Sequence, residues 1–189
     1  MKVTSGNIQK IYDKYNLIGV RAIHSLKVAD LAAELARALG ASPEKAWTAG
    51  ALHDLQREIH PLLLLKYAEE HHLGINLDQR KSPLLLHGKV AADIVNKELG
   101  IKDEKILDAI RTHTCGEAGM EPLQAIVYAA DFLESFSDSP TCQDIHDACL
   151  KDLSHGINLI NQDSLAWMSS IGRDASRDFR KNLDYYAKY

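Results

Sequence analysis

From Arg21 to Leu39 the apolar residues Val28, Leu31, Ala32, Leu35 and Leu39 recur at intervals of three and four, the period of an amphipathic helix. The same spacing returns in nearly every later segment, closed by glycine or reopened by proline. Gly40 stops the first run. Ser42-Pro43-Glu44 then supplies an N-cap and a first-turn proline for a helix running through Trp47 to about Asp54. Pro61 opens a segment that Gly74 closes, residues 75–82 read as a polar loop, and Pro83 begins a short element ending at His87-Gly88. A helix from about Lys89 to Leu99, the run "KDEKILDAIRTHT", the loop "CGEAGMEP" and the helix "LQAIVYAADFLESF" follow. Residues 135–143 mark a boundary, with helical patterns at about 143–153 and 163–187 beyond it. No alternating β-type pairs and no repeats occur. The expected fold is all-α: residues 1–189 as one domain, a helical bundle with a C-terminal helical extension.

Polar groups interrupt these apolar stripes at chosen places. His24 precedes Val28 and Leu31 by four and seven residues, and His87 precedes Val90, Ala91 and Ile94 by three, four and seven. His113 follows Ile106, Ala109 and Ile110, Asp131 follows Leu123 and Val127, and His53-Asp54 share the face of Ala46, Trp47 and Gly50. One histidine on an apolar face is usually a hydrogen-bonded core residue. Four histidines and two aspartates aimed at one interior would carry a large desolvation cost without a cation. Neutral imidazole with carboxylate is a standard ligand set for iron, manganese or zinc, so a metal site resolves that cost.

The bulk numbers exclude several classes. A net charge of −4 argues against a nucleic-acid polymer as partner but leaves room for a small phosphorylated ligand. No stretch approaches the length of a membrane span and the N-terminus lacks the apolar core of a signal peptide, so a cytoplasmic protein without membrane contact is expected. Three cysteines, Cys115, Cys142 and Cys149, cannot pair off completely and read as reduced thiols. His60, His71, His72, His146 and His155 read as surface groups.

The runs "RAIHSLKVADLAAELA", "AGALHDLQRE", "SPLLLHGKVAADIV", "LDAIRTHTCGEAGM" and "LQAIVYAADFLE" resemble, in order, the motifs of the HD-domain metal-dependent phosphohydrolases. The bacterial YqeK-like subgroup, which hydrolyses diadenosine tetraphosphate symmetrically, is the part of the family they resemble most. The resemblance covers about residues 18–137 and leaves 138–189 without a role. It implies His24, His53, Asp54 and Asp131 as ligands of the H…HD…D motif, and His87 and His113 as the pair that admits a second metal, with Asp54 bridging. Two divalent ions are thereby implied, iron by resemblance, with manganese not separable by spacing. Such a pair lowers the pKa of water and supplies hydroxide for in-line attack on phosphorus.

Arg57 stands where the subgroup usually has lysine and is expected to act with Asp54 in catalysis and to hold a phosphate. Lys81, Lys89 and Thr114 are further expected substrate contacts, and the two lysines, which flank the "SPLLLHG" motif, rank above Arg21 and Arg111. Cys115 takes a place where threonine is common, and Gly116 could shape the substrate mouth. Phe132 and Ser137 replace a lysine and an arginine of the subgroup, which leaves metal binding untouched and opens the substrate question. Three functions follow: symmetrical cleavage to two ADP, hydrolysis of another nucleotide or small phosphate ester, or a metal-binding module without turnover. The C-terminal helices would also suit a homodimer.

Overall fold

The three-four spacing becomes eleven α-helices and one 3-10 turn, with no strand, among the described residues 2–189 of the computed structural model. In chain order they are α1 (Ile8–Tyr15), α2 (Gly19–Ala38), α3 (Pro43–Leu52), α4 (Pro61–Glu70) and α5 (Leu77–Lys81). The 3-10 turn Pro83–Leu86 leads into α6 (His87–Lys97), then α7 (Glu104–Thr112), α8 (Pro122–Ser135), α9 (Cys142–Lys151), α10 (Leu153–Ser170) and α11 (Arg177–Tyr186). The all-α bundle expected from the sequence is what forms.

The tightest packing joins α2 to α3. Both bury small residues, Ala29, Ala32 and Ala36 on α2 and Ala46, Ala49 and Gly50 on α3, so the two backbones come close. A Cβ on Gly50 would lie 2.8 Å from the Ala29 Cα and 3.1 Å from the Val28 carbonyl oxygen. Glycine is required there by proximity. The buried Tyr12 hydroxyl of α1 donates to the Ala51 carbonyl at 2.7 Å and locks α1 over the end of α3. Helices α7 and α8 close the other sides of this pair, and α6 packs behind α7.

Two segments differ from the sequence reading. The expected loop 75–82 contains α5, because Asn76 and Gln79 form a capping box: Asn76 Oδ1 accepts from the Gln79 amide and Gln79 Oε1 from the Asn76 amide. The expected helix 163–187 is two helices. The first starts ten residues earlier, where Asp152 accepts from the Ser154 amide at 2.9 Å, and it stops before Gly172 in the left-handed region (φ +66°). Ser176 then caps α11, accepting from the Phe179 amide. A glycine stop and two polar caps override the continuous apolar spacing.

The C-terminal helices pack back on the bundle, α10 on α8 and α9, and α11 on α10. A buried polar chain ties them to the rest. Asn161 Oδ1 of α10 accepts from the Tyr128 hydroxyl of α8 at 2.8 Å and from Asn182 Nδ2 of α11 at 3.1 Å. Asn182 Nδ2 also donates to the Cys115 carbonyl at 3.2 Å. The next residue, Gly116, has φ +61°, and a Cβ there would run into the Asn182 amide. So α11 is keyed to the loop that follows His113.

Candidate metal centre

Three of the four interior imidazoles sit at helix ends rather than in mid-helix. His53 caps the C-terminus of α3, His113 caps that of α7, and His87 follows the 3-10 turn. Carbonyls in a terminal turn lack an intrahelical donor. Each imidazole donates to the carbonyl three residues before it: Nδ1 of His53 to Gly50 O (2.6 Å), of His87 to Leu84 O (2.7 Å), which also accepts the His87 backbone N–H, and of His113 to Ile110 O (2.8 Å). A carbonyl can only accept, so Nδ1 carries a proton and Nε2 is the nitrogen that presents a lone pair whenever the ring is neutral. His24 lies inside α2, where no carbonyl is free. Its Nδ1 instead meets Glu134 Oε2 of α8, whose other oxygen is 3.3 Å from Lys27 Nζ.

All four Nε2 atoms converge on the two aspartates. Asp131 Oδ1 lies 3.1 Å from His24 Nε2 and 3.6 Å from His53 Nε2. Asp54 divides its carboxylate. Oδ2 faces His53 and His24 at 3.6 and 3.8 Å, and Oδ1 faces His87 and His113 at 3.1 and 3.5 Å. Arg21 Nη1 holds Oδ2 at 3.0 Å.

This interior is unsatisfied as it stands. His24 Nε2 and His53 Nε2 are buried without a hydrogen-bond partner. His87 Nε2 and His113 Nε2 lie 2.9 Å apart with both protons already committed at Nδ1, so two lone pairs face each other. A cation resolves both faults. The donor set fits a divalent metal, and two overlapping triads have ligand atoms within 4.8 Å of one another: His24, His53, Asp131, and His53, Asp54, His113.

Charge runs the same way. Burial alone would raise the Asp54 carboxyl, but the imidazoles of His53, His113 and His87 hold it well below the usual carboxylate range. Burial would likewise raise Asp131, and His24 and His53 pull it far down. Burial opposes the His53 imidazolium, yet Asp54 and Asp131 push that imidazole up to about 9. Both carboxylates are thus in the ionised form a metal needs.

A cavity of about 410 Å³ opens beside this cluster, with His113, Thr114 and Asp131 at one end. Phe132 and Phe136 from the end of α8 and Trp167 of α10 line it as well. Thr114 Oγ1 lies 3.2 and 3.3 Å from Nε2 of His113 and His87. Lys81 is on the rim with no ionic partner among the described residues, as is Arg173.

The other expected contacts fall elsewhere. Lys89 does not line the cavity: its ammonium donates to the Gly74 carbonyl at 2.8 Å and to Gln79 Oε1 at 3.1 Å. Half-buried Arg57 is not on the cavity wall either, and its guanidinium makes no hydrogen bond or ion pair among the described residues. Arg111 pairs with Asp108 of its own helix. Sequence reasoning gave no partner to Arg21 and no role to Glu134 beyond its place in a motif, and it missed Trp167 and Arg173 entirely. Arg21 lies three residues before His24 on α2 and Glu134 three after Asp131 on α8, but the groups they contact, Asp54 and His24, are 33 and 110 residues away, so no local spacing pairs them.

Residues 21–135 match the family model of the HD domain. The symmetrical bis(5'-nucleosyl)-tetraphosphatase of Bacillus subtilis (strain 168) is 34% identical over 149 residues, 76% of this chain and 77% of that protein. A protein of the same name from Halalkalibacterium halodurans is 31% identical over 155 residues, 78% of this chain and 80% of its own length. The fold is shared with a crystal structure from Clostridium acetobutylicum described as a predicted HD superfamily hydrolase involved in NAD metabolism. That match has a TM-score of 0.90 and 24% identity over 100% of this chain and 99% of the other.

Proposed function

The chain belongs to the HD-domain family of phosphohydrolases, and we propose that it cleaves diadenosine tetraphosphate symmetrically into two ADP at a pair of divalent metal ions. One observation carries this reading: Asp54 offers one oxygen to each of two imidazole pairs, beside a cavity of nucleotide size. His24, His53 and Asp131 would hold one ion, His87 and His113 the other, with Asp54 shared. Iron fits this mixed nitrogen and oxygen set, as does manganese.

When bound, the ions supply Lewis acidity, acidifying a water and neutralising charge on the phosphoryl oxygens. The chain's own groups do the rest. Arg21 fixes the orientation of Asp54, and the three terminal-turn carbonyls with Glu134 fix the rotation of every imidazole. Thr114, at the junction of cluster and cavity, has a hydroxyl placed to donate to a phosphoryl oxygen there. Lys81 and Arg173 put positive charge at the rim, where the remaining phosphates of a polyphosphate would run.

A second reading, hydrolysis of another nucleotide or a small phosphate ester, draws on Phe132 and Ser137, the positions at which the family resemblance implies cations. Metal-loaded protein incubated anaerobically with diadenosine tetraphosphate separates the two. ADP as the sole product is expected. ATP with AMP would overturn the symmetrical cut, and no turnover by protein of measured metal content would leave the second reading.

A further inference from the structure

The cavity beside the metal cluster has three aromatic rings in its lining, Phe132 and Phe136 at the end of α8 and Trp167 of α10. The rings of Phe132 and Phe136 stack with centroids 4.7 Å apart at 26°, and Trp167 meets Phe136 edge-on at 5.9 Å and 77°. Together they make a floor and a side wall at right angles. All three line the same cavity as His113 and Asp131. Trp167 is 43% exposed although it is among the largest apolar side chains in the protein.

We propose that the corner formed by Phe132, Phe136 and Trp167 is the stacking subsite for the purine base of the nucleotide whose phosphate lies at the metal cluster. The proposal rests on the reading of the protein as a nucleotide phosphohydrolase and deepens it. Three chemistries line one cavity, beside the carboxylates of Asp78 and Asp174: His113 and Asp131 of the His/Asp cluster, Lys81 and Arg173 with no ionic partner among the described residues, and the aromatic corner. A nucleotide presents the matching three, a reacting phosphoryl group, further phosphates and a flat ring. A lipid tail would leave the rim cations without a purpose, and a bare phosphate ester would leave the aromatic corner unused.

The role of α10 follows. It delivers Trp167 to the active-site cavity and is held there through Asn161, Tyr128 and Asn182.

The chain has two tryptophans, and the other one, Trp47, bonds to Asp30 away from the cavity. A Trp47→Phe protein therefore reports on Trp167 alone. Titrated with adenosine, which carries no phosphate, its fluorescence should be quenched to saturation at millimolar concentration, while ribose should leave it unchanged. In Trp167→Ala, the ratio of kcat/KM for a nucleotide to that for a base-free phosphate ester should fall on the order of 5- to 150-fold, the usual range for loss of one base-aromatic stack. Trp167→Phe should restore most of it. Equal response to adenosine and ribose, or an unchanged ratio in Trp167→Ala, would overturn the proposal. Failure of the two readings is separable. Saturable adenosine quenching without any hydrolysis would retain the subsite and remove the enzyme assignment, and hydrolysis without adenosine quenching would do the reverse.

Discussion

Replacing Gly50 by alanine adds one methyl group to the helix that carries the metal-binding pair, and the structure indicates what it will cost. The new Cβ meets the Ala29 Cα at 2.8 Å, the Ala29 amide nitrogen at 3.0 Å and the Val28 carbonyl oxygen at 3.1 Å. All three are backbone atoms of α2 and cannot rotate away. Overpacking of this kind costs about 1–3 kcal/mol, and the upper half of that range applies where no side chain can yield. Alanine returns about 1 kcal/mol in helix propensity. The net is a destabilisation of about 1–2 kcal/mol, or roughly 2–8 °C in Tm for a chain of this size.

The same displacement reaches the site. Gly50 supplies the carbonyl that orients His53, and α2 carries His24, so pushing α3 off α2 separates the two imidazoles that face Asp131. Thermal unfolding of chelator-treated Gly50→Ala, followed by metal titration, reads both effects. A lower Tm with weakened metal binding is expected. An unchanged Tm would show that α2 and α3 are not in close backbone contact. A lower Tm with unaltered metal affinity would show that their spacing does not set the ligand geometry.

Further outcomes follow from the cluster. Glu134→Gln keeps an acceptor for His24 Nδ1 but removes its charge, whereas Glu134→Ala removes both; metal affinity should fall about 10-fold or more in the alanine variant and less in the glutamine variant, read by competition with a chromophoric chelator. Equal, wild-type affinity in both would remove Glu134 as the group that orients His24. Asp131→Ala should lose bound metal and metal-dependent thermal stabilisation together, a stabilisation of about 2.7 kcal/mol in the wild type at metal concentrations 100 times Kd; unchanged metal content would refute the ligand assignment. In metal-free protein the depressed Asp54 and Asp131 stabilise above the unfolded carboxylate pKa near 4, a contribution lost on acidification. The raised His53 stabilises fully below its unfolded value of 6.5 and loses that contribution as pH rises towards about 9. Metal-free Tm should thus decline between pH 6.5 and 9, while saturating metal, which needs neutral imidazoles, should flatten or reverse that decline; parallel profiles with and without metal would contradict it.

The periodic apolar spacing was enough to read an all-α bundle, and the six interior polar groups were legible because each broke an apolar stripe. Their exact placement was not. A helical-face argument puts His53 and His113 on the sides of helices, whereas both sit at helix ends and use the free carbonyls there, a feature set by where each helix stops. Arg21 and Glu134 escaped for another reason. Their partners, Asp54 and His24, lie 33 and 110 residues away in sequence, and only the packing of α2 against α3 and α8 brings them together. Trp167 is not legible for the same cause: the spacing predicts one continuous helix over 163–187, whereas Gly172 breaks it and Asn161 and Asn182 join its two parts.

The central claim is that the six interior groups exist to hold divalent metal. Elemental analysis of chelator-stripped protein reloaded anaerobically with iron(II), and separately with manganese(II), tests it most directly. Two ions per chain are expected in the wild type, with a marked loss in Asp54→Ala, because one carboxylate serves both positions. A folded wild-type chain that retains no metal after gel filtration would contradict the account.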